Sequence, residues 1–558
     1  MHKIVAVLAL ALALGQAVRV TKLTERLHQR TVAKHGKAVG LIQAALAGKK
    51  VAANGDAFSK VTDKTKKHTR VVHLQQEYDG IPVFGYGATV QEVSSHKVTI
   101  INGDFVEGLQ AVVKPGDAAR LAVNKQKALA AAKASHKRQT LVPSRYHLDL
   151  KDTVQPIIYV DGKVAVKAYL VQFVDKYAKE PSYPNVVVDE AGKVLEQFEG
   201  LKTIKSPNYT PVAKKTAKKT VSNDQSRDHH TGVFATGPGG NEKIGRIDYT
   251  ELPARQDGFD CLFDTPNVRT IDLEFAFDNS KTTPHSFRCF ENTVREINGA
   301  FSPMNDVQFF GSKVFEMYRE LYDTSPLEET PLLLKCHFGR NFENAFFDGT
   351  SMTFGDGANF FYPLTSLDVT AHEVAHGVTD QSSNLIYRGQ SGGLNEAFSD
   401  MSGKAVERFV RGFEATTFGV GIDITKGDDP LRCMDDPPCD GRSIDHVRDY
   451  QTGIDVHFSS GLYNKVFYLL STDPSFVNDI KDAYDIFYIA NTQYWGRATG
   501  FTRGAELTLQ ATEDLKAGMH LPENDYSHID LEVVKSAFRT VGVDCDKVGD
   551  EYTCDTLP

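Results

Sequence analysis

The chain is 558 residues long, with 63 Lys+Arg, 72 Asp+Glu and a formal net charge of −9. That length exceeds what one hydrophobic core organises, so three or four domains are expected. The charge is split, +16 over residues 1–232 (36 Lys+Arg, 20 Asp+Glu) and −25 over the rest; the basic residues are scattered and no nucleic-acid motif accompanies them, so attraction between the two parts is the simpler reading and a nucleic-acid partner is set aside.

Residues 1–17 read as a secretory signal peptide. Lys3 gives the positive start, residues 4–14 the apolar core, and Gly15, Gln16 and Ala17 a small-residue cleavage site. The apolar run is too short to span a bilayer and no other stretch approaches the length needed, so secretion without a membrane anchor is expected. A helical pattern follows over residues 32–47. From His68 the chain alternates, turns at Asp79-Gly80 and resumes, which predicts two strands joined by a tight turn. Residues 123–134, rich in Ala and Lys, read as a helix, and strands are expected over 155–160, 165–174 and 185–188. Residues 202–228 are polar and basic and read as a linker, carrying the N-glycosylation acceptor pattern Asn208-Tyr209-Thr210. Strands should then dominate to about residue 280. Helices are expected near 289–301 and 307–322, a strand over 331–338, and helices again over 366–381, 394–411, 460–471, 501–516 and 528–541.

His372 and His376 are four apart, so on a helix two imidazoles share a face and can reach one metal. Glu373, one position round, can hold a metal-bound water without being a ligand. This is the H-E-x-x-H arrangement of zinc hydrolases. Catalytic zinc usually takes three protein ligands and keeps a fourth position for water; Glu396, on the next helical pattern, is the best third ligand. Asp400 follows Glu396 by four and is placed to accept the second ring N–H of a ligating histidine. Chance occurrence of the pentapeptide in an ordinary amphipathic helix is the competing reading, and Glu396 and Asp400 at these offsets weigh against it.

The series from His372 to Asp400 resembles the thermolysin family of zinc metalloendopeptidases, in the pattern of vibriolysin and pseudolysin. The resemblance implies zinc as cofactor and an α+β catalytic domain of two lobes. A β-rich N-terminal lobe (233–381) would include the first zinc helix, and a helical C-terminal lobe (382–558) would face it across a cleft with that helix as floor. Residues 55–105 resemble the fungalysin/thermolysin propeptide module and 115–205 a PepSY-type module. Residues 18–232 would then be a propeptide, ending in a basic linker over 206–232, that serves as folding chaperone and inhibitor. Partners would be protein or peptide substrates and the propeptide itself, with the enzyme a monomer.

The family pattern also implies roles for single residues. Ala345, on an edge strand, would offer its carbonyl to the leaving amine and Asn344 its side chain to the bound peptide. Tyr387 and His457 would donate to the developing oxyanion, with Asp455 orienting and charging His457, and Arg432 would bind a substrate carbonyl. Phe361, Leu364, Val369 and Leu431 match a pocket for a bulky apolar residue after the cut bond, which would suit self-cleavage near Gly232-Val233-Phe234. Cys261 with Cys289 resembles a family disulfide; Cys433 with Cys439 and Cys545 with Cys554 are local pairs, and Cys336 is left over. Relatives gather carboxylates at the positions of Asp368, Lys404 and Glu407 around calcium. Here a lysine replaces one of them, which puts calcium in doubt: either its ammonium pairs with Asp368 and Glu407, or it swings out and calcium still binds. The alternative to an active enzyme is an inactive family member acting as a binding or inhibitory protein; every expected catalytic residue is present, which argues against it.

Overall fold

The computed structural model describes residues 16–28, 42, 56–65, 69–94, 96–114, 116–136, 140, 143–205, 232–549 and 551–557. The apolar core of the expected signal peptide, the helix over 32–47 (Ile42 apart) and the glycosylation pattern lie outside them. Among the described residues no helix is long and apolar enough to cross a membrane.

The N-terminal part forms a ten-stranded sheet. Its central hairpin pairs Thr69–Tyr78 with Ile81–Val93 through Asp79 and Gly80, both at positive φ (49° and 73°), the backbone that a two-residue hairpin requires. Val83, Val106, Val186 and Val188 are buried on one side of this sheet, in the cluster that holds Ala128 and Ala132 of the Lys125–Ser135 helix. Val93, Val98 and Ile100 instead join the apolar cluster of the following domain. Gln91 Nε2 donates to the Gln493 carbonyl at 2.5 Å and Arg497 Nη1 to Gln75 Oε1 at 3.0 Å, so the N-terminal part is docked on the catalytic part.

Ion pairs across this boundary run in both senses. Lys22–Glu506 (2.9 Å), Lys64–Glu328 (3.2 Å) and Lys202–Asp380 (2.6 Å) follow the charge split of the sequence. Glu196 with Arg388, and Asp104 with Arg503, oppose it. Local pairing, not net charge alone, sets the match.

The catalytic part has two lobes. Four strands, Val233–Asn241, Gly245–Asp257, Asp260–Leu262 and Ser286–Arg288, form one sheet; Val268–Asp272, Leu332–Cys336, Met352–Phe354 and Ala345–Phe347 lie in a second. The helix Pro303–Tyr322 packs on both. Helices Gly389–Arg411, Gly461–Ser471, Ile480–Ile489, Phe501–Lys516 and Leu531–Thr540 build the other lobe. Between them runs Leu367–Asp380, buried from Leu367 to Thr379, as a helix must be when both lobes and the edge strand pack on it.

Two expectations are corrected, and two elements are new. No helix forms over 289–301: Cys289 is tied to Cys261, Asn292 spends its side chain on Asn305 (2.8 Å), and Asn298 and Gly299 at positive φ turn the chain back. The linker does not begin at 202, because Lys202–Thr203 is a strand. The helix Ile480–Ile489 and the C-terminal hairpin Val543–Val548/Glu551–Thr556 were not expected. Disulfides join Cys261–Cys289, Cys433–Cys439 and Cys545–Cys554, the last directly across that hairpin; Cys336 is a buried thiol.

Candidate active site

The spacing of the motif is realised on two packed helices. His372 and His376 stand on Leu367–Asp380 with ring centroids 4.7 Å apart, and Glu396 faces them from Gly389–Arg411. His372 Nε2 lies 3.5 Å from Glu396 Oε2, and His376 Nε2 lies 3.4 Å from Glu396 Oε1. One donor atom from each residue falls within 4.8 Å of the others, the one such group of three found among the described residues. All three side chains are fully buried, yet His372 Nε2, His376 Nε2 and Glu396 Oε2 have no hydrogen-bond partner. Orphaned polar atoms at this depth are costly, and two imidazole nitrogens converging with a carboxylate oxygen are the donor set that zinc takes. The residues fit the metal.

The outer nitrogens are held. His372 Nδ1 lies 2.9 Å from Asp400 Oδ1, and His376 Nδ1 meets Asn395 Oδ1 at 2.7 Å and Ser399 Oγ at 3.1 Å. Asn395 and Ser399 escaped sequence reading, although both share the helix of Glu396. Asp400 also takes both Nε and Nη2 of Arg432 (2.9 and 2.6 Å) and the amide of Asn464 (2.9 Å). Burial raises the Asp400 carboxyl, but Arg432 and His372 outweigh it and hold it well below the usual range. Glu373, also fully buried, is pushed well up by burial and by Glu396, against the opposing charge of Arg432.

On the opposite wall, Asp455 caps the short Val456–Ser459 helix and lies 2.6 Å from His457 Nδ1. Burial opposes a charged His457, but Glu396 and Asp455 prevail and raise it to about 9. Tyr387 donates its hydroxyl to Glu396 and lies 3.5 Å from His457 Nε2. Every sequence-derived candidate of the zinc site and its surroundings, Glu373, His457, Tyr387, Asp455, Asn344, Ala345 and Arg432 with the three ligands and Asp400, therefore meets in one cleft.

The cleft holds part of the chain itself. Lys202–Thr203 pairs antiparallel with the edge strand Ala345–Phe347, Lys202 opposite Phe347 and Thr203 opposite Phe346. The Thr203 carbonyl accepts from His457 Nε2 at 2.6 Å, and the Ile204 carbonyl accepts from Arg432 Nη1 at 2.7 Å. The Ile204 amide donates to the Ala345 carbonyl at 3.3 Å, and Asn344 exchanges two 3.2 Å bonds with the backbone of Lys205. Ile204 is fully buried in the same apolar cluster as Phe361, Leu364, Val369 and Leu431. Sequence reading missed this segment because residues 202–205 look like the polar chain that follows.

Comparison with known proteins agrees with the geometry. Family models match residues 240–380 (thermolysin metallopeptidase, catalytic domain), 383–543 (thermolysin metallopeptidase, alpha-helical domain) and 59–105 (fungalysin/thermolysin propeptide motif). The hemagglutinin/proteinase of Vibrio cholerae is 36% identical over 502 residues, covering 87% of this chain and 72% of that protein. The chain belongs to the thermolysin family of metallopeptidases. The neutral protease of Vibrio proteolyticus is 35% identical over 485 residues (85% of this chain, 71% of that one), and zinc metalloproteinase MspA of Legionella longbeachae 33% over 537 (90% and 92%).

This thermolysin-family peptidase departs from the family pattern at Lys404. The side chain is fully buried, with Nζ 3.1 Å from Asp368 Oδ2, 2.8 Å from Glu407 Oε2 and 2.8 Å from the Gly419 carbonyl. It does not swing out to solvent. Asp368 is further held by Ser366 Oγ (2.6 Å) and by the amides of Val369 (2.9 Å) and Gly421 (2.7 Å), and Glu407 by Arg411 (3.2 Å).

Proposed function

We propose that the chain is the zymogen of a secreted zinc endopeptidase that prefers a bulky apolar residue after the scissile bond. The observation that carries this reading is the buried His372–His376–Glu396 set lying beneath an extended backbone paired to Ala345–Phe347. His372 Nε2, His376 Nε2 and Glu396 would hold zinc, which supplies Lewis acidity when bound.

The rest of the chemistry belongs to the chain. Glu373 accepts a proton from the attacking water and passes it to the leaving nitrogen; the burial that raises its carboxyl suits a group that must both take and give a proton. His457 and Tyr387 donate to the oxyanion, which is charged only after attack, so their contribution falls on the transition state. Asp455 holds His457 protonated and aimed. Arg432 and Asn344 hold the peptide beyond the cut, and Ala345 accepts from the leaving amine. Phe361, Leu364, Val369 and Leu431, buried in one apolar cluster, would take the apolar residue after the cut, and apolar surface buried there contributes about 25 cal/mol per Å² to binding. The docked N-terminal part covers this cleft through Lys202–Lys205, and residues 18–232 would serve as inhibitor and folding chaperone. Asp400 braces both His372 and Arg432, coupling the metal site to peptide binding.

The experiment is hydrolysis of a peptide library by activated enzyme, with cut positions read by mass spectrometry and zinc removed and restored. Cuts before Leu, Ile or Phe that vanish on chelation and return with zinc are expected. Zinc-independent cutting, or cuts without an apolar residue after them, would overturn the reading.

A further inference from the structure

The backbone lying in the cleft runs in a particular register, and the register selects one bond. The Thr203 carbonyl oxygen is 2.6 Å from His457 Nε2. On the far side of the same peptide unit, the Ile204 amide donates to the Ala345 carbonyl at 3.3 Å and faces Glu373. One residue on, the Ile204 carbonyl is held by Arg432 and the Lys205 backbone by Asn344. Ile204 has no exposed surface and belongs to the apolar cluster that also holds Phe361, Leu364, Val369 and Leu431.

A segment that merely blocked the cleft would need none of this alignment. It could enter in the opposite direction, or leave a carbonyl far from the donors. Here a donor for an oxyanion, His457, and the acceptor for a leaving amine, Ala345, both address the single bond Thr203–Ile204, and the side chain after it is buried. A cavity of ≈ 960 Å³, lined by Leu201 and Thr203 on one side and Asn344, Tyr387 and His457 on the other, opens the approach to that carbonyl. By contrast, Gly232, Val233 and Phe234 line a different cavity with Phe309, Phe315 and Arg319, and Val233 begins a strand paired to Gly245–Asp257. The expected self-cleavage point is not the bond presented to the site.

We propose that Thr203–Ile204 is the first bond this enzyme hydrolyses in its own chain, upstream of the strand that opens the catalytic domain. The proposal rests on the peptidase reading above and deepens it by naming a substrate bond. Water adds its oxygen to the Thr203 carbonyl carbon and its proton passes to Glu373. The C–N bond to Ile204 breaks as that proton goes to the departing Ile204 nitrogen; the second proton of the water follows by way of Glu373, leaving a Thr203 carboxylate and a new ammonium terminus at Ile204. Residues 204–232 then remain on the catalytic part as an extension, removed by a later and separate cut.

The test uses the full-length zymogen, prepared without metal and started by adding zinc, with intact mass and N-terminal sequence followed in time alongside hydrolysis of an added peptide. A fragment starting at Ile204 should appear before any start near Gly232, at a rate independent of protein concentration because the bond already lies in its own site. Ile204→Pro removes the amide hydrogen given to Ala345 and should slow this first cut about a hundredfold or more, whereas Ile204→Leu, which keeps both the amide and an apolar fit, should retain it. An enzyme that hydrolyses the added peptide but first cuts its own chain elsewhere, or an Ile204→Pro zymogen that matures at the wild-type rate, overturns this proposal alone. A zymogen that hydrolyses neither its own chain nor the peptide overturns the peptidase reading and this one with it.

Discussion

Lys404 gives the most direct measure of how the buried chemistry of the two motif helices is balanced. Asp368 lies one turn before His372, and Lys404 and Glu407 lie two and three turns after Glu396, so their contact braces the helices that carry the ligands. Replacing Lys404 with Met keeps the apolar stem and deletes the ammonium. Two carboxylates, both with 2% or less of their surface exposed, would then face each other without the ammonium between them, with Arg411 left on the Glu407 side alone. Breaking a buried pair by removing one partner typically costs about 3–5 kcal/mol. For a domain of this size, at roughly 2–3 °C per kcal/mol, that is a fall in Tm of about 6–15 °C.

The pH dependence of that loss has a definite sign. Burial already raises Glu407 to about 7, with Lys404 pulling the other way and Asp368 adding to the rise; without Lys404 it rises further. A carboxyl whose folded pKa is raised binds more protons folded than unfolded, so stability falls as pH climbs from its unfolded pKa through its folded one. The deficit of Lys404→Met should therefore be small near pH 5 and largest near pH 8. The assay is thermal unfolding of the activated enzyme at fixed zinc, with and without calcium, at both pH values. Wild type should gain nothing from calcium, and Lys404→Glu, which rebuilds an all-carboxylate cluster, should gain substantially. A Lys404→Met protein within about 1 kcal/mol of wild type at pH 8, or a wild-type calcium response abolished by Asp368→Ala, would refute the reasoning.

Other outcomes are expected from the cleft. Glu373→Ala should bind zinc at full stoichiometry by metal analysis, yet lose about 10²–10⁴ of peptidase turnover and keep its N-terminal part uncut. Removing an oxyanion donor, His457→Ala or Tyr387→Phe, should lower kcat about a hundredfold with little change in KM; a pure KM effect would count against the role. Asp400→Ala, which frees the outer nitrogen of His372, should weaken zinc about 10–100-fold in a competition titration.

How much of this was legible in the sequence depends on range. Helix-scale periodicity revealed the two motif helices, and four-residue spacing revealed which faces hold His372, His376, Glu396 and Asp400, because those relations are local. The hairpin at Asp79-Gly80 was legible for the same reason: its turn needs residues that tolerate positive φ. Asn395 was not legible as the partner of His376, since an asparagine beside a ligand carries no spacing of its own. The segment 289–301 was misread because its apolar residues serve a turn, a disulfide and a side-chain ladder to Asn305, all set by tertiary partners. Thr203 and Ile204 were lost among lysines. Nothing in a polar stretch announces that its backbone hydrogen bonds will be supplied by an edge strand more than 140 residues away.

The charge split of the chain prompts one last prediction, and the structure limits it. Net charges of +16 and −25 suggest that salt alone should free the N-terminal part after self-cleavage. Yet the pairs at the boundary are of both senses, and each has a member more than a fifth exposed, save none buried on both sides. Such pairs are worth about 0–1 kcal/mol each, and screening acts on the opposing ones as well as on the favourable ones. Val93, Val98 and Ile100, by contrast, are buried in the catalytic core cluster and are untouched by screening. The bond from His457 to Thr203 and the pairing of Lys202–Thr203 with Phe347 and Phe346, which stay with the N-terminal part after the cut, are likewise shielded. Raising salt from 0.05 to 0.5 M should therefore speed dissociation of the nicked complex by less than about tenfold. A change in dissociation rate beyond a hundredfold would mean that the long-range field, and not the buried contact, holds the two parts together.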